Sequence, residues 1–192
     1  MNPCSLAGPK RQSFLEKPLL ILDLDETLIR GISEPLGREP QMKLGPYFIY
    51  FRPHVSEFLS GCARHYELAV WSSATITYVG PIVKALLQEI TMPAFIWDRT
   101  QCTIRYDFQK QKEVYQKDLR RLGALGRDLR RVLIIDDEQY KVSLQIGNAI
   151  LVKPYLGETE DLELFYLYRY LDSIAVSLDF YKLDKFNWRD SY

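Results

Sequence analysis

Asp23 and Asp25, one residue apart, and the adjacent pair Asp136 and Asp137 are the side chains best suited to chemistry in this sequence. Each set follows a short apolar run, Leu19–Leu22 or Val132–Ile135, and the carboxyl ends of strands are where an open parallel sheet gathers its ligands. Ser72 and Ser73 follow another such run, Leu68–Trp71, and Lys117 precedes the last. Carboxylates converging on one sheet edge repel one another unless a cation lies between them. Hard oxygen ligands suit magnesium, held by one or two carboxylates together with water and substrate oxygens. A lysine and two hydroxyls beside such a cluster suit a phosphate: the acids hold the metal, and the lysine and hydroxyls hold the anion.

The elements that must position these groups are short. Strands are expected at Leu19–Leu22, Leu68–Trp71, Phe95–Trp97, Val132–Ile135 and Ile150–Val152. Most are apolar without alternation, as strands covered on both faces are. An aromatic run, Tyr47–Phe51, predicts an extra strand or hairpin. Helical periodicity points to Val55–Arg64, Ile76–Leu87, Glu113–Leu122 (which carries Lys117) and Glu160–Ser177, the last with Thr159 as N-cap. The polar stretch from Arg99 to Lys112 reads as a connection. The alternation of strand and helix predicts an α/β fold, a Rossmann-like parallel sheet flanked by helices.

Composition narrows the classes further. At 192 residues the chain suits one domain, and 47% hydrophobic content argues against disorder. The organisation expected is a flexible leader at 1–17, a catalytic domain at 18–178 and a C-terminal tail at 179–192 that packs on it or extends it. A formal net charge of zero leaves no bulk attraction to nucleic acid, so no direct nucleic-acid binding is expected. Cys4, Cys62 and Cys102 have no metal-ligand spacing and read as incidental thiols of an intracellular protein, cytoplasmic or nuclear. No apolar run approaches the ~20 residues of a membrane span.

Asp23-Leu24-Asp25-Glu26-Thr27-Leu28 resembles the first motif of the haloacid dehalogenase-type phosphatases. Arg52-Pro53-His54, Lys117-Asp118-Leu119 and the run from Gly126 to Asp137 narrow the resemblance to the NLI-interacting-factor-like group. That group includes the small phosphatases of the RNA polymerase II carboxyl-terminal domain. The likeness extends over roughly residues 18 to 175. Ser72 stands where the group usually has threonine, and Asp137 where its smaller members usually have asparagine. No segment corresponds to a large cap domain, which implies an open site suited to a phosphoprotein or phosphopeptide.

The resemblance implies a magnesium-dependent phosphatase and a role for each residue. Asp23 attacks phosphorus and becomes an aspartyl-phosphate, while Asp25 protonates the leaving oxygen and then activates water. Thr27 holds Asp25 or its loop. Ser72, with Ser73 beside it, and Lys117 bind the phosphoryl oxygens. Arg99 lies on the substrate side. Asp23, the backbone carbonyl of Asp25, Asp137 and, directly or through water, Asp136 hold the metal. Two other functions are compatible with the same fold: hydrolysis of a small phosphorylated metabolite, and a catalytically idle binding module. The presence of Asp23, Asp25 and Lys117 together weighs against the idle module. A receiver domain shares these residue types but places its acidic pair early, whereas here Asp136-Asp137 follows Lys117.

Overall fold

The structure, a computed structural model, describes residues 17–191 except 109 and 110. The greater part of the expected leader, 1–16, and Cys4 within it lie outside the described residues. Five strands form the central sheet: β1 (Leu19–Leu22), β5 (Glu67–Trp71), β6 (Ile96–Trp97), β9 (Val132–Asp136) and β10 (Ala149–Leu151). Their order is β10-β9-β1-β5-β6, and every neighbouring pair runs parallel. The nucleophile candidate therefore leaves the middle strand, and the Asp136-Asp137 pair leaves the strand beside it.

Side chains alternate across each strand and divide the core in two. Leu20, Leu22, Leu68, Val70, Leu133 and Ile135 face one layer, made by the helices α1 (Val55–His65), α2 (Ile76–Leu87) and α5 (Glu163–Ile174). Leu19, Ile21, Ala69, Trp71, Val132 and Ile134 face the other. There they meet Leu122 of α3 (Arg120–Ala124), Val142 of α4 (Gln139–Val142), and Cys102. Both faces are covered, which explains why these strands are apolar without a break. Phe180 and Trp188, from the C-terminal segment, are buried in the α1–α2–α5 layer.

Two small antiparallel sheets project from this framework. One has the order β2-β4-β3, formed by β2 (Ile29–Ile32), β3 (Met42–Leu44) and β4 (Tyr47–Phe51). The other pairs β7 (Thr103–Asp107) with β8 (Lys112–Gln116). This hairpin overturns two expectations. The stretch 99–112 is not simply a connection, because it holds a turn of 3-10 helix at Arg99–Gln101 and the whole of β7. The segment 113–122 is not one helix: Glu113 to Gln116 pair with β7, and helix resumes only at Arg120. Val114 and Tyr115 carry the branched and aromatic side chains that favour a strand, and Tyr115 packs against the second core layer.

The last helix also differs from expectation, running Glu163–Ile174 rather than 160–177. Thr159 does not cap it; the Asp161 carboxylate accepts the Glu163 amide at 2.9 Å instead. Leu164, Leu167, Tyr170 and Leu171 are buried, while Phe165 and Tyr166 are exposed on the outer face.

Asp161 has a further partner that braces the site. The buried Arg52 donates from Nε and Nη2 to both Asp161 oxygens, at 2.9 and 2.8 Å, and from Nη1 to the Thr27 carbonyl at 3.0 Å. The planar fork of arginine thus ties the loop after β1 to the start of α5. Arg52→Met leaves a carboxylate and a carbonyl without their donor, and is expected to lower unfolding free energy by about 3 kcal/mol. Urea denaturation measures this directly, and an unchanged midpoint would remove Arg52 from the framework. Among the described residues, no helix is long and apolar enough to cross a membrane.

Candidate active site

β1 ends at Leu22, and the chain then folds on itself. The amides of Thr27, Leu28 and Ile29 all donate to the Leu24 carbonyl, and Glu26 takes a left-handed φ of 59°. This tight loop places Asp23 at the end of the sheet, 1% exposed, with Asp25 beside it. Lys117 reaches Asp23 from the other core layer. It follows β8 directly, and its amide donates to the Lys141 carbonyl at 2.7 Å.

Lys117 is fully buried. Its Nζ donates to Asp23 Oδ1 at 2.7 Å and to Asp136 Oδ2 at 2.6 Å. A second ammonium, that of Lys141 on α4, lies 3.6 Å from Asp23 Oδ2, 3.8 Å from Asp136 Oδ1 and 3.6 Å from Asp137 Oδ1. Asp23, Asp136 and Asp137 each present an oxygen within 4.8 Å of the others. Asp23 Oδ2 and Asp137 Oδ1 are buried and accept no hydrogen bond. Buried carboxylate oxygens rarely stay without a partner. Two such oxygens aimed into one acidic cluster are the donor set a hard divalent cation uses, so these residues fit such an ion.

The environment sets the carboxyls apart. Burial opposes ionisation of Asp23, but Lys117 and Lys141 outweigh it and hold its pKa below the ordinary value. Asp25 lacks such a pairing. Burial pushes it up to about 6, against the hydrogen bond from Tyr78 and with the help of the Asp23 charge. Burial also raises Asp137, to about 7, despite the pull of Lys141, and raises Asp136. For Lys117, burial favours the neutral amine, yet Asp136 and Asp23 prevail and raise its pKa, so it stays charged.

Asp23, Asp136, Asp137 and Lys117 therefore come together in one cluster. Asp25 stands beside it, and its carboxylate is not part of the converging set. Ser72 is buried at the end of β5, and its Oγ accepts the Ala74 amide at 3.0 Å, which leaves the hydroxyl proton available to donate. Ser73 is half-buried next to it. Thr27 is buried, and its hydroxyl makes no hydrogen bond, so it does not hold the Asp25 carboxylate. Arg99 is not drawn into the cluster: its guanidinium lies over the Tyr115 ring, 5.5 Å from the centroid.

Two residues were missed by sequence reasoning. Tyr78 Oη donates to Asp25 Oδ1 at 2.6 Å. It reaches that position across β2 because residue 31 is glycine; a Cβ there would lie 2.0 Å from the hydroxyl. Nothing in the local pattern marks a tyrosine on a helix as the partner of an aspartate so far away. Lys141 did leave a signal, since it stands four residues after Asp137 on the helix that follows β9. That spacing puts a lysine over a strand-end acid.

The description of the family model that matches residues 18–182 is "NLI interacting factor-like phosphatase". The "CTD small phosphatase-like protein 2" of Dictyostelium discoideum is 26% identical over 183 residues, covering 90% of this chain and 30% of that protein. The human "Carboxy-terminal domain RNA polymerase II polypeptide A small phosphatase 1" is 27% identical over 175 residues, covering 88% and 63%. This chain thus spans under a third of the first relative and less than two thirds of the second. Among solved structures, "The Structure of Fcp1, an essential RNA polymerase II CTD phosphatase" superposes with a TM-score of 0.65 at 19% identity, over 83% of this chain and 62% of that one. The likeness in fold is of a parallel sheet flanked by helices, and no large cap is evident among the described residues.

Proposed function

The chain belongs to the NLI interacting factor-like phosphatase family, and on that premise we propose that it hydrolyses phosphoserine or phosphothreonine in a protein or peptide, with magnesium and an aspartyl-phosphate on Asp23. The observation that carries this reading is the split between two neighbouring carboxyls: two lysines keep Asp23 ionised, while Asp25 has its pKa raised to about 6. Carboxyl pairs driven apart in this way divide the roles of nucleophile and acid.

In the first step an Asp23 oxygen forms a bond to phosphorus as the bond to the serine or threonine oxygen breaks. Asp25 gives its proton to that departing oxygen. In the second step water attacks the phosphorus and the bond to Asp23 breaks. Asp25 takes the water's proton, and inorganic phosphate leaves. Each step returns Asp25 to the state the other requires. Lys117 offsets the charge that spreads over the phosphoryl oxygens, and Ser72 donates to one of them. Asp23 and Asp137, supported by Asp136, would hold the magnesium, which when bound neutralises substrate charge and aligns the phosphoryl group. The described residues include no large cap over the site, which favours a protruding phosphorylated side chain over an enclosed metabolite.

Phosphate release from a panel of phosphoserine and phosphothreonine peptides, with and without magnesium, tests this reading. The pH dependence of kcat/KM is expected to be bell-shaped. It rises as the carboxylates that would hold the metal lose their protons, and falls as Asp25 loses its own above about 6. A rate still climbing at alkaline pH would remove Asp25 as proton donor. Folded protein that is inert on every peptide and on p-nitrophenyl phosphate would sink the enzyme reading.

A further inference from the structure

The two ammonium groups of the cluster are held in different ways. Lys117 is fixed by direct hydrogen bonds of 2.7 and 2.6 Å to two carboxylates. Lys141 Nζ lies 3.6 to 3.8 Å from Asp23, Asp136 and Asp137, beyond hydrogen-bond distance, and it makes a short contact with Glu138 Oε2 at 3.0 Å. Its hold on the aspartates is therefore Coulombic and without direction. The Glu138 side chain is 38% exposed and marks the rim of the site.

We propose that Lys141 is a displaceable counter-ion of the carboxylate cluster, a positioning residue that weakens the site's grip on its divalent cation and, when that cation binds, draws away from the aspartates while keeping the pairing with Glu138 that it already has. The inference rests on the metal-dependent reading given above. A divalent ion at the usual ~2.1 Å from Asp23 Oδ2 and Asp137 Oδ1 would lie within roughly 6 Å of the ammonium. Like charges that close, with little water between them, repel strongly. Lys141 and Glu138 stand three residues apart around the start of α4, where a side chain can draw off the aspartates by rotation alone and keep Glu138 as its partner. The backbone need not follow, so the Lys141 carbonyl keeps its bond from the Lys117 amide, and the phosphate-side lysine stays in place. Phosphate-free metal binding is thereby kept weak, while the cluster retains a balancing charge at all times.

Titration calorimetry of the full chain with magnesium, and with manganese, decides the matter, supported by the melting-temperature shift each metal produces. Lys141→Met is expected to tighten magnesium binding about tenfold or more and to enlarge the thermal shift. Glu138→Gln, a change at a half-exposed rim position, is expected to weaken binding severalfold by removing the carboxylate that holds the ammonium off the aspartates. Lys141→Met with unchanged or weaker metal binding overturns the inference. So does loss of beryllium fluoride binding in that variant without a change in metal affinity, which would make Lys141 a phosphate anchor instead. Should Lys141→Met fail to fold, Glu138→Gln decides alone, and wild-type affinity in it overturns the inference. A folded wild type that binds no magnesium overturns the metal-dependent reading itself, an outcome distinct from equal binding by wild type and variant.

Discussion

Asp23→Asn is expected to lower phosphatase turnover by on the order of 10⁴-fold or more while the protein remains folded. The amide keeps the shape of the carboxylate, and its oxygen can still accept from Lys117, but it offers phosphorus no anionic nucleophile. Lys117 retains Asp136 as an ionic partner at 2.6 Å, so the core does not lose its whole balance. The direct readout is intact mass after rapid quenching. Wild-type enzyme caught in turnover should carry a phosphoryl adduct on Asp23, and the variant none. A variant that keeps even a few per cent of wild-type turnover would show that phosphate does not pass through this residue.

Lys117→Met should damage both activity and stability. Removing one partner of a buried ionic set commonly costs about 3–5 kcal/mol, and here two carboxylates, those of Asp23 and Asp136, lose their direct donor at once. Turnover should fall on the order of 10³-fold, through loss of charge stabilisation at the phosphoryl group. The stability deficit has a distinctive pH dependence. Without the lysine both carboxyls have folded pKa values raised above their unfolded ones, so the folded variant binds protons that the unfolded chain has already released. The deficit is then largest at neutral pH and shrinks as the solution is acidified through the raised values. Urea denaturation at pH 7.5 and pH 5 measures it. Wild-type stability at both would mean that Lys117 is not what balances the cluster.

What the sequence disclosed, and what it hid, follows from where the information lay. Leu19–Leu22 and Ile76–Leu87 could be read to the residue, because two-sided burial and helical periodicity are local patterns. The acid pairs stood out because they follow such runs. Glu113 to Gln116 misled because its charges also fit a helix, and only pairing with Thr103–Asp107 makes it a strand. That error put Lys117 on a helix, although its resemblance to a family motif had already marked it. Tyr78 was invisible for a related reason, since its meaning depends on an aspartate 53 residues away and on a glycine in β2. Arg99 was placed on the substrate side by its position in the chain, and nothing in the sequence signalled that its guanidinium would lie over the Tyr115 ring of the folded hairpin.

The ion pair between Lys117 and Asp23 joins residues 94 positions apart, and this bears on when in folding the site forms. β1, which carries Asp23, lies between β5 and β9, so it is complete only when chain from both the middle and the later part of the sequence has arrived. Parallel pairing over such separations forms slowly, because the entropy of closing long loops is spent before the contacts reward it. Early folding species can therefore hold α2 or the β7–β8 hairpin, whose contacts are local, and still lack any site. Recovery of phosphatase turnover after dilution from denaturant should coincide with closure of the central sheet and trail the first return of helical signal.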